Sequence, residues 1–129
     1  MKRTLLTIVT VVVLLTLVAC GGGNPVDDET AEPFITKAEE VVLLLNEGNY
    51  EEVYAMFNDE MKEGLPVEEM AELTPVFEES GEYEEIDKAS VEEKDGYYVV
   101  VLVANHSEEN RIYTVSFEEN EAIAGLFIQ

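Results

Sequence analysis

The stretch DGYYVVVLVA, residues 95–104, decides the fold of this chain. Asp-Gly strongly favours a two-residue hairpin turn, because both central positions of that turn need a positive φ. The eight residues that follow are apolar or aromatic at odd and even positions alike. We therefore predict a central strand over residues 97–104 that leaves the turn and is covered on both faces.

Three further strands are predicted around this one. Residues 83–93 form a polar strand whose main apolar points are Ile86 and Val91, which indicates an edge strand or a bulge. Residues 111–117 alternate in polarity, and residues 122–128 end the sheet. With turns at 105–110 and 118–121, the pattern predicts a four-stranded antiparallel meander.

The residues before Gly81 have the spacing of helices instead. A long helix is predicted to open near Glu32-Pro33 and to end at Gly48, since proline suits a first helical turn and glycine a C′ position. Asn49 and Glu52 have capping-box spacing, and Asn58 can cap one more turn. Helices followed by antiparallel strands give an α+β domain with its N-terminal helices packed on the sheet.

The end of the helical half offers two alternatives. Pro66, followed by Glu68 and Glu69, starts a helix, since acidic residues favour a helix N-terminus. Thr74-Pro75 then either kinks that helix or restarts it with Thr74 as N-cap.

The N-terminus has the features of a secretory signal. Lys2 and Arg3 precede an apolar run over residues 5–18, and small residues follow. Leu17-Val18-Ala19-Cys20 resembles the lipobox of bacterial lipoproteins, which implies cleavage after Ala19 and acylation of Cys20. We therefore expect a signal peptide over residues 1–19, a flexible tether over 20–31, one domain over 32–129, and a lipid-anchored protein at the cell membrane, facing outside the cytoplasm.

The charge balance excludes several partners. Asp and Glu number 29 against 7 Lys and Arg, and removing Lys2 and Arg3 would leave 5 − 29 = −24. Binding nucleic acid needs clustered basic residues, which this chain lacks, and attraction to anionic lipid headgroups fails for the same reason. Strong like charge also predicts a soluble monomer, stabilised by salt.

Motifs for cofactors, metals and catalysis are missing from the sequence. Cys20 and His106 are each the sole residue of their type, and no spacing matches a metal site, so neither metal nor cofactor is expected. We interpret His106 as a solvated turn residue, since no motif gives it a nucleophile or an orienting carboxylate.

The aromatic residues support two interpretations. Helices over a curved sheet can leave an apolar hollow with tyrosine hydroxyls as polar points, or the rings can simply fill the core. A possible pocket would draw on Tyr50, Tyr54, Phe57, Tyr97, Tyr113 and Phe117.

The helical half also carries a family resemblance. Gly48-Asn49-Tyr50, Phe57, Met61-Lys62, Leu65-Pro66 and Gly81 are similar to the pattern of the domain-of-unknown-function 3887 family, over about residues 32–129. The resemblance implies a cone-shaped α+β fold of the nuclear-transport-factor-like or cystatin-like kind, with no catalytic motif to carry over. Pro75 and the lack of tryptophan depart from the family pattern.

Two functions that need a bound molecule or partner are consistent with these features, and a spacer or immunogenic coat protein without a ligand is a third possibility. The first is a non-enzymatic binding or accessory domain whose partner is a small hydrophobic ligand or an envelope protein. The alternative is a small acid–base enzyme that uses a carboxylate and a tyrosine in a cone-shaped pocket. A buried Asp or Glu beside a tyrosine would favour the enzyme.

Overall fold

The computed structural model of the protein describes residues 24–129. Ala19, Cys20 and the signal segment lie outside these described residues. The elements, in chain order, are β1 Asn24–Pro25, α1 Asp28–Glu47, α2 Tyr50–Ala55, α3 Asp59–Gly64, α4 Val67–Met70, a 3₁₀ turn Ala71–Leu73, α5 Thr74–Ser80, β2 Tyr83–Lys94, β3 Tyr97–His106, β4 Asn110–Phe117 and β5 Ile123–Ile128. Among them, no helix has the length and apolar character to span a membrane.

The predicted α+β class is confirmed, because the helices come first and an antiparallel sheet follows. The sheet has the order β1-β2-β3-β4-β5. The predicted meander corresponds to β2–β5. The fifth strand, β1, was not predicted, because it is two residues long and pairs only through Asn24 with Glu93 and Pro25 with Glu92.

α1 begins at Asp28, earlier than predicted. The carbonyl of Asp27 accepts the first helical hydrogen bond, from Ala31 N at 2.9 Å, and Asp28 and Glu29 place negative charge at the positive end of the helix dipole. Pro33 therefore lies inside the helix, on an exposed side where water can satisfy the carbonyl it leaves unpaired. Residues 28–31 belong to the helix, so the tether predicted up to residue 31 is wrong there.

The short helices confirm some predicted caps and correct others. Asn58 accepts a hydrogen bond from Met61 N at 2.9 Å, as predicted. Asn49 precedes α2 but makes no side-chain cap; its amide donates to Glu47 Oε1 at 3.3 Å, so the predicted capping box is wrong. Its ψ of 61° lies outside the extended region that an N-cap usually adopts.

Thr74-Pro75 restarts the helix after the 3₁₀ turn. Thr74 itself has helical dihedrals and is the first residue of α5, so its predicted role as N-cap is wrong. Its hydroxyl bonds instead to the Tyr50 hydroxyl, at 2.7 Å. Gly81 ends the helical half, as predicted, with a φ of 82° that L side chains rarely adopt.

The sheet follows the predicted turn chemistry. Asp95 and Gly96 both have positive φ, 54° and 87°, which the two-residue hairpin requires. β2 carries two register shifts against β3, between Tyr83 and Glu85 and between Ile86 and Lys88, so the predicted bulge is confirmed. β3 runs on to His106, past the predicted end at residue 104.

The prediction that β3 is covered on both faces is wrong. Val100, Leu102 and Ala104 point toward the helices and are buried, whereas the alternate residues Val99, Val101 and Val103 are only partly covered. All the described helices lie on one face of the sheet, and valine suits a pleated, half-exposed position as well as a buried one. The core residues lie between Ala31 and Ile123, so residues 24–129 contain a complete hydrophobic core.

Candidate functional site

An open hollow of about 940 Å³ lies on the helical side of the sheet. It is bounded by the C-terminal end of α1, the start of α2, α5 and the first residues of β2. Gly48 ends α1 in a left-handed conformation, with a φ of 80°, and lies in the turn that leads into α2. That turn brings Tyr50 to the wall of the hollow.

The walls of the hollow are largely apolar. Leu45 is buried, and Leu43 stands at the rim with 45% of its surface exposed. Phe77 stacks parallel to Tyr113, with ring centroids 6.5 Å apart. The hydrogen bond between Tyr50 and Thr74 ties α2 to α5, so the aromatic wall is fixed in place.

A chain of hydrogen bonds runs from the wall of the hollow into the core. Asn46 lines the hollow and donates its amide to the Tyr113 hydroxyl at 3.2 Å. That hydroxyl lies 3.1 Å from His106 Nε2, and His106 Nδ1 lies 3.3 Å from the carbonyl of Gly81. Since a carbonyl can only accept, the network assigns the His106 proton to Nδ1, and Nε2 accepts from Tyr113.

Burial sets the charge states of His106 and Tyr113. Burial lowers the pKa of His106; the bond to the Gly81 carbonyl raises it, and the Arg111 charge lowers it. Burial also raises the pKa of the Tyr113 hydroxyl, partly offset by the Asn46 hydrogen bond and the Arg111 charge. Both groups are therefore neutral at neutral pH, as hydrogen bonding within an apolar core requires.

The rim of the hollow carries negative charge. Glu47, Glu78 and Glu82 line it, and no Lys or Arg is found among its lining residues. Arg111 pairs with Glu109 at 2.8 Å, away from this rim. The hollow therefore combines apolar walls with an anionic edge, which repels anions and attracts cations.

Close packing between Gly81 and Ser107 closes one end of the hollow. A Cβ added to Gly81 would lie 2.0 Å from Ser107 Oγ, and Ser107 Oγ accepts a hydrogen bond from Glu82 N at 2.9 Å. Nearby, buried Ser80 accepts a hydrogen bond from Arg111 Nε. These contacts clamp the β3–β4 turn against the end of α5, which holds His106 in place.

The structure separates the residues that were expected to form one pocket. Tyr50 lines the hollow, and Tyr113 lies beneath it through its bond to Asn46. Phe117 and Phe57 are buried in the core, with Phe117 tilted against Phe34 at 5.6 Å.

The remaining two expected pocket residues lie elsewhere. Tyr54 packs beside Phe57, with Lys62 Nζ 5.6 Å from its ring centre. Tyr97 is 43% exposed at the start of β3 and does not line the hollow. Of the six expected pocket residues, Tyr50 lines the hollow, whereas Tyr54, Phe57, Tyr97, Tyr113 and Phe117 are not among its lining residues.

His106 was predicted as a solvated turn residue, and this is wrong: it is 4% exposed. It continues the alternation of Val100, Leu102 and Ala104, so its side chain points to the same buried face. Extending the two-residue alternation of β3 by one step, from Ala104 to His106, would have predicted that His106 is buried. Asn46 gives no comparable signal, because its role depends on a tyrosine 67 residues away in the sequence.

No cluster of three or more metal-ligating side chains occurs within residues 24–129. The buried polar residues in this part of the chain are Ser80 and His106, and none of its Asp or Glu side chains is buried.

The fold defines a class: an α+β domain in which helices cover one face of an antiparallel sheet and leave a hollow at one end. More specifically, residues 38–126 match the family model described as "Protein of unknown function (DUF3887)", and the chain belongs to that family. No curated protein and no solved structure gives a significant match.

Proposed function

We propose that the protein is a lipid-tethered, extracytoplasmic binding domain that holds a small, largely apolar molecule in the hollow. The observation that carries the proposal is the hollow itself, about 940 Å³ with a fixed aromatic wall and a polar point at Asn46. Ligand sites have this character: a mostly apolar concave surface with a few placed polar groups.

The charges around the hollow favour a cationic or neutral ligand over an anionic one. Glu47, Glu78 and Glu82 stand at the rim with no basic residue in the lining. An amine whose apolar tail contacts Tyr50 and Phe77 would leave its charge near these carboxylates. Aromatic faces also attract cations.

Binding is better supported than acid–base catalysis. Such catalysis needs a carboxyl group with a raised pKa, whereas no Asp or Glu within residues 24–129 is buried. Both ring nitrogens of His106 are engaged, by Tyr113 and by Gly81, which leaves neither free to act as a base on a bound molecule.

Three probes with one tail and different head groups test the ligand class: octylamine, octanol and octanoate. Residues 20–129 with Cys20→Ser would be titrated with each by calorimetry. We expect octylamine to bind most tightly, octanol less so and octanoate least, since the rim repels its charge. Absence of binding by all three, or preference for octanoate, would contradict the proposal.

Two variants with similar side-chain exposure locate the binding. Leu43→Ser removes an apolar side chain from the rim and is expected to weaken octylamine binding at least about threefold. Phe127→Ser removes a side chain that is 58% exposed outside the hollow, and should leave binding unchanged. Equal effects of the two variants would show that the probe binds elsewhere.

The lipid anchor is tested separately at Cys20, the sole cysteine of the chain. In the bacterial host, we expect the full-length protein to incorporate labelled palmitate and to fractionate with membranes. Several acyl chains at about 0.8 kcal/mol per buried CH₂ are enough to hold an acidic domain there. Cys20→Ser should abolish both properties; unchanged labelling and fractionation would contradict the anchor without affecting the proposal about the hollow.

A further inference from the structure

We propose that the sheet face turned away from the helices binds a second copy of this chain, face to face. This outer face consists of Tyr97, Val99, Val101 and Val103 of β3, Ile112, Thr114 and Ser116 of β4, and Phe127 of β5. Within the part of the chain that the structure describes, no helix or loop packs over it. The inference is independent of what occupies the hollow.

Charge distinguishes this face from the rest of the molecule. β3, β4 and β5 contain none of the 29 acidic residues, whereas β2 alone carries five of them. Strong like charge opposes contact between copies. Opposing outer faces would bring the two copies together where fewest carboxylates meet, so a second copy can approach here at the least electrostatic cost.

The same face carries most of the exposed large apolar side chains. Tyr97 is 43% exposed, Ile112 37% and Phe127 58%. Single exposed apolar residues are ordinary, but a contiguous group on a flat strand surface marks an interaction site. Val99, Val101 and Val103 continue the face along β3 from Tyr97 to the partner of Ile112, and Phe127 pairs with Thr114 on the neighbouring strand.

The shape of the face points to a second copy of the chain. A depression of about 370 Å³ lies at one side, above the small residues Ser116 and Ala124. Phe127 stands beside it, since Phe127 pairs with Thr114 and the next outer-face position on β4 is Ser116, about 7 Å along the strand. A two-fold axis between the ring and the depression places each ring in the partner's depression, as a self-complementary interface requires.

The size of the face sets the expected affinity. Three strands about 4.8 Å apart and about seven residues long cover roughly 300 Å² in each copy. That area is well below the roughly 800 Å² per partner of a standard interface, so a weak, reversible dimer is expected rather than a permanent one. Lys94 and Asp95 at the edge of the depression have opposite charges, so they add little repulsion.

Sedimentation equilibrium of residues 20–129 with Cys20→Ser tests this proposal. From about 10 to about 500 μM protein we expect a monomer–dimer equilibrium that tightens between about 0.05 and about 1 M NaCl, because salt screens the repulsion between copies. A monomer at every concentration and salt level would overturn the proposal.

Three substitutions locate the interface. Phe127→Ser should raise the dimer dissociation constant at least about tenfold, because a two-fold interface buries the Phe127 ring of both copies. Ser116→Glu should abolish the dimer by placing a carboxylate in each depression. Leu43→Ser, which removes a side chain that is 45% exposed on α1, should leave it unchanged. Thermal melts show that each variant is folded, and a dimer indifferent to Phe127→Ser and Ser116→Glu would overturn the proposal.

Discussion

The hollow and the outer face are both apolar, and they lie on opposite sides of one sheet. The hollow is concave, with Glu47, Glu78 and Glu82 at its rim, whereas the outer face is flat and lies on three strands without acidic residues. A concave surface with charge at its edge suits a small molecule, and a flat neutral one suits a protein partner. In a chain this acidic, the places without carboxylates are as informative as the places with them.

The largest expected loss of stability comes from disrupting the close packing of Gly81 against Ser107. Gly81→Ala adds a methyl group 2.0 Å from Ser107 Oγ at a φ of 82°, so we expect it to cost about 3 kcal/mol of unfolding free energy or more. Gly48→Ala is the matched control: its φ is 80°, but no atom lies within 4 Å of the added Cβ, and about 1 kcal/mol is expected. Urea unfolding measures both, and equal losses would contradict the close packing at Gly81.

The next largest loss of stability is expected when the hydrogen-bond network beneath the hollow is broken. Tyr113→Phe removes the hydroxyl between Asn46 and His106 and leaves their polar atoms without that partner, which is expected to cost about 1–3 kcal/mol. Tyr97→Phe removes an exposed hydroxyl on the outer face and should change stability by less than about 0.5 kcal/mol. Unfolding free energies that fall equally would contradict the buried network.

The buried imidazole makes this side of the sheet sensitive to pH. Burial lowers the pKa of His106, so between that lowered value and the ordinary pKa near about 6.5 the unfolded chain binds the proton more tightly. This contribution to stability is complete above about pH 6.5 and is lost as the pH falls through that window.

The groups that face His106 are Tyr113, Tyr83, the Gly81 carbonyl, Arg111 and Glu84. In His106→Gln these groups remain, so thermal melts from about pH 7 to about pH 5 should be flatter than in the unsubstituted chain. A profile identical in both proteins would show that His106 is not the titrating group.

The smallest effect concerns the acidic surface. The melting temperature of Phe127→Ser, chosen to limit self-association, should rise by a few degrees from about 0.05 to about 1 M NaCl as salt screens repulsion among the carboxylates. A melting temperature independent of salt would contradict the view that repulsion destabilises the domain.

Local signals predicted the sheet well. The Asp95-Gly96 turn and the bulged, polar β2 both follow from short-range chemistry. The coverage of β3 could not be predicted, because valines at both odd and even positions fit a strand buried on either face or on both. For the same reason, the sequence does not show on which face of the sheet the Tyr97 side chain lies.

The site was harder to predict than the fold. Tyr50 was among the aromatic residues expected at a pocket, and it lines the hollow. Asn49 has the spacing of a capping box, but its amide donates a hydrogen bond to Glu47 instead. The contacts of Tyr113 with Asn46 and Phe77 join segments far apart in the chain, and no local pattern records them.

Native mass spectrometry tests the central claim, that the hollow binds a small molecule, most directly. The chain with Cys20→Ser would be purified without detergent from the cells that make it, and compared with the same chain carrying either Leu43→Ser or Phe127→Ser in addition. We predict a bound species of small-molecule mass on the first, lost or reduced on the second and kept in Phe127→Ser. A bare polypeptide mass in all three, or an adduct that Leu43→Ser leaves untouched while Phe127→Ser removes it, would contradict the account.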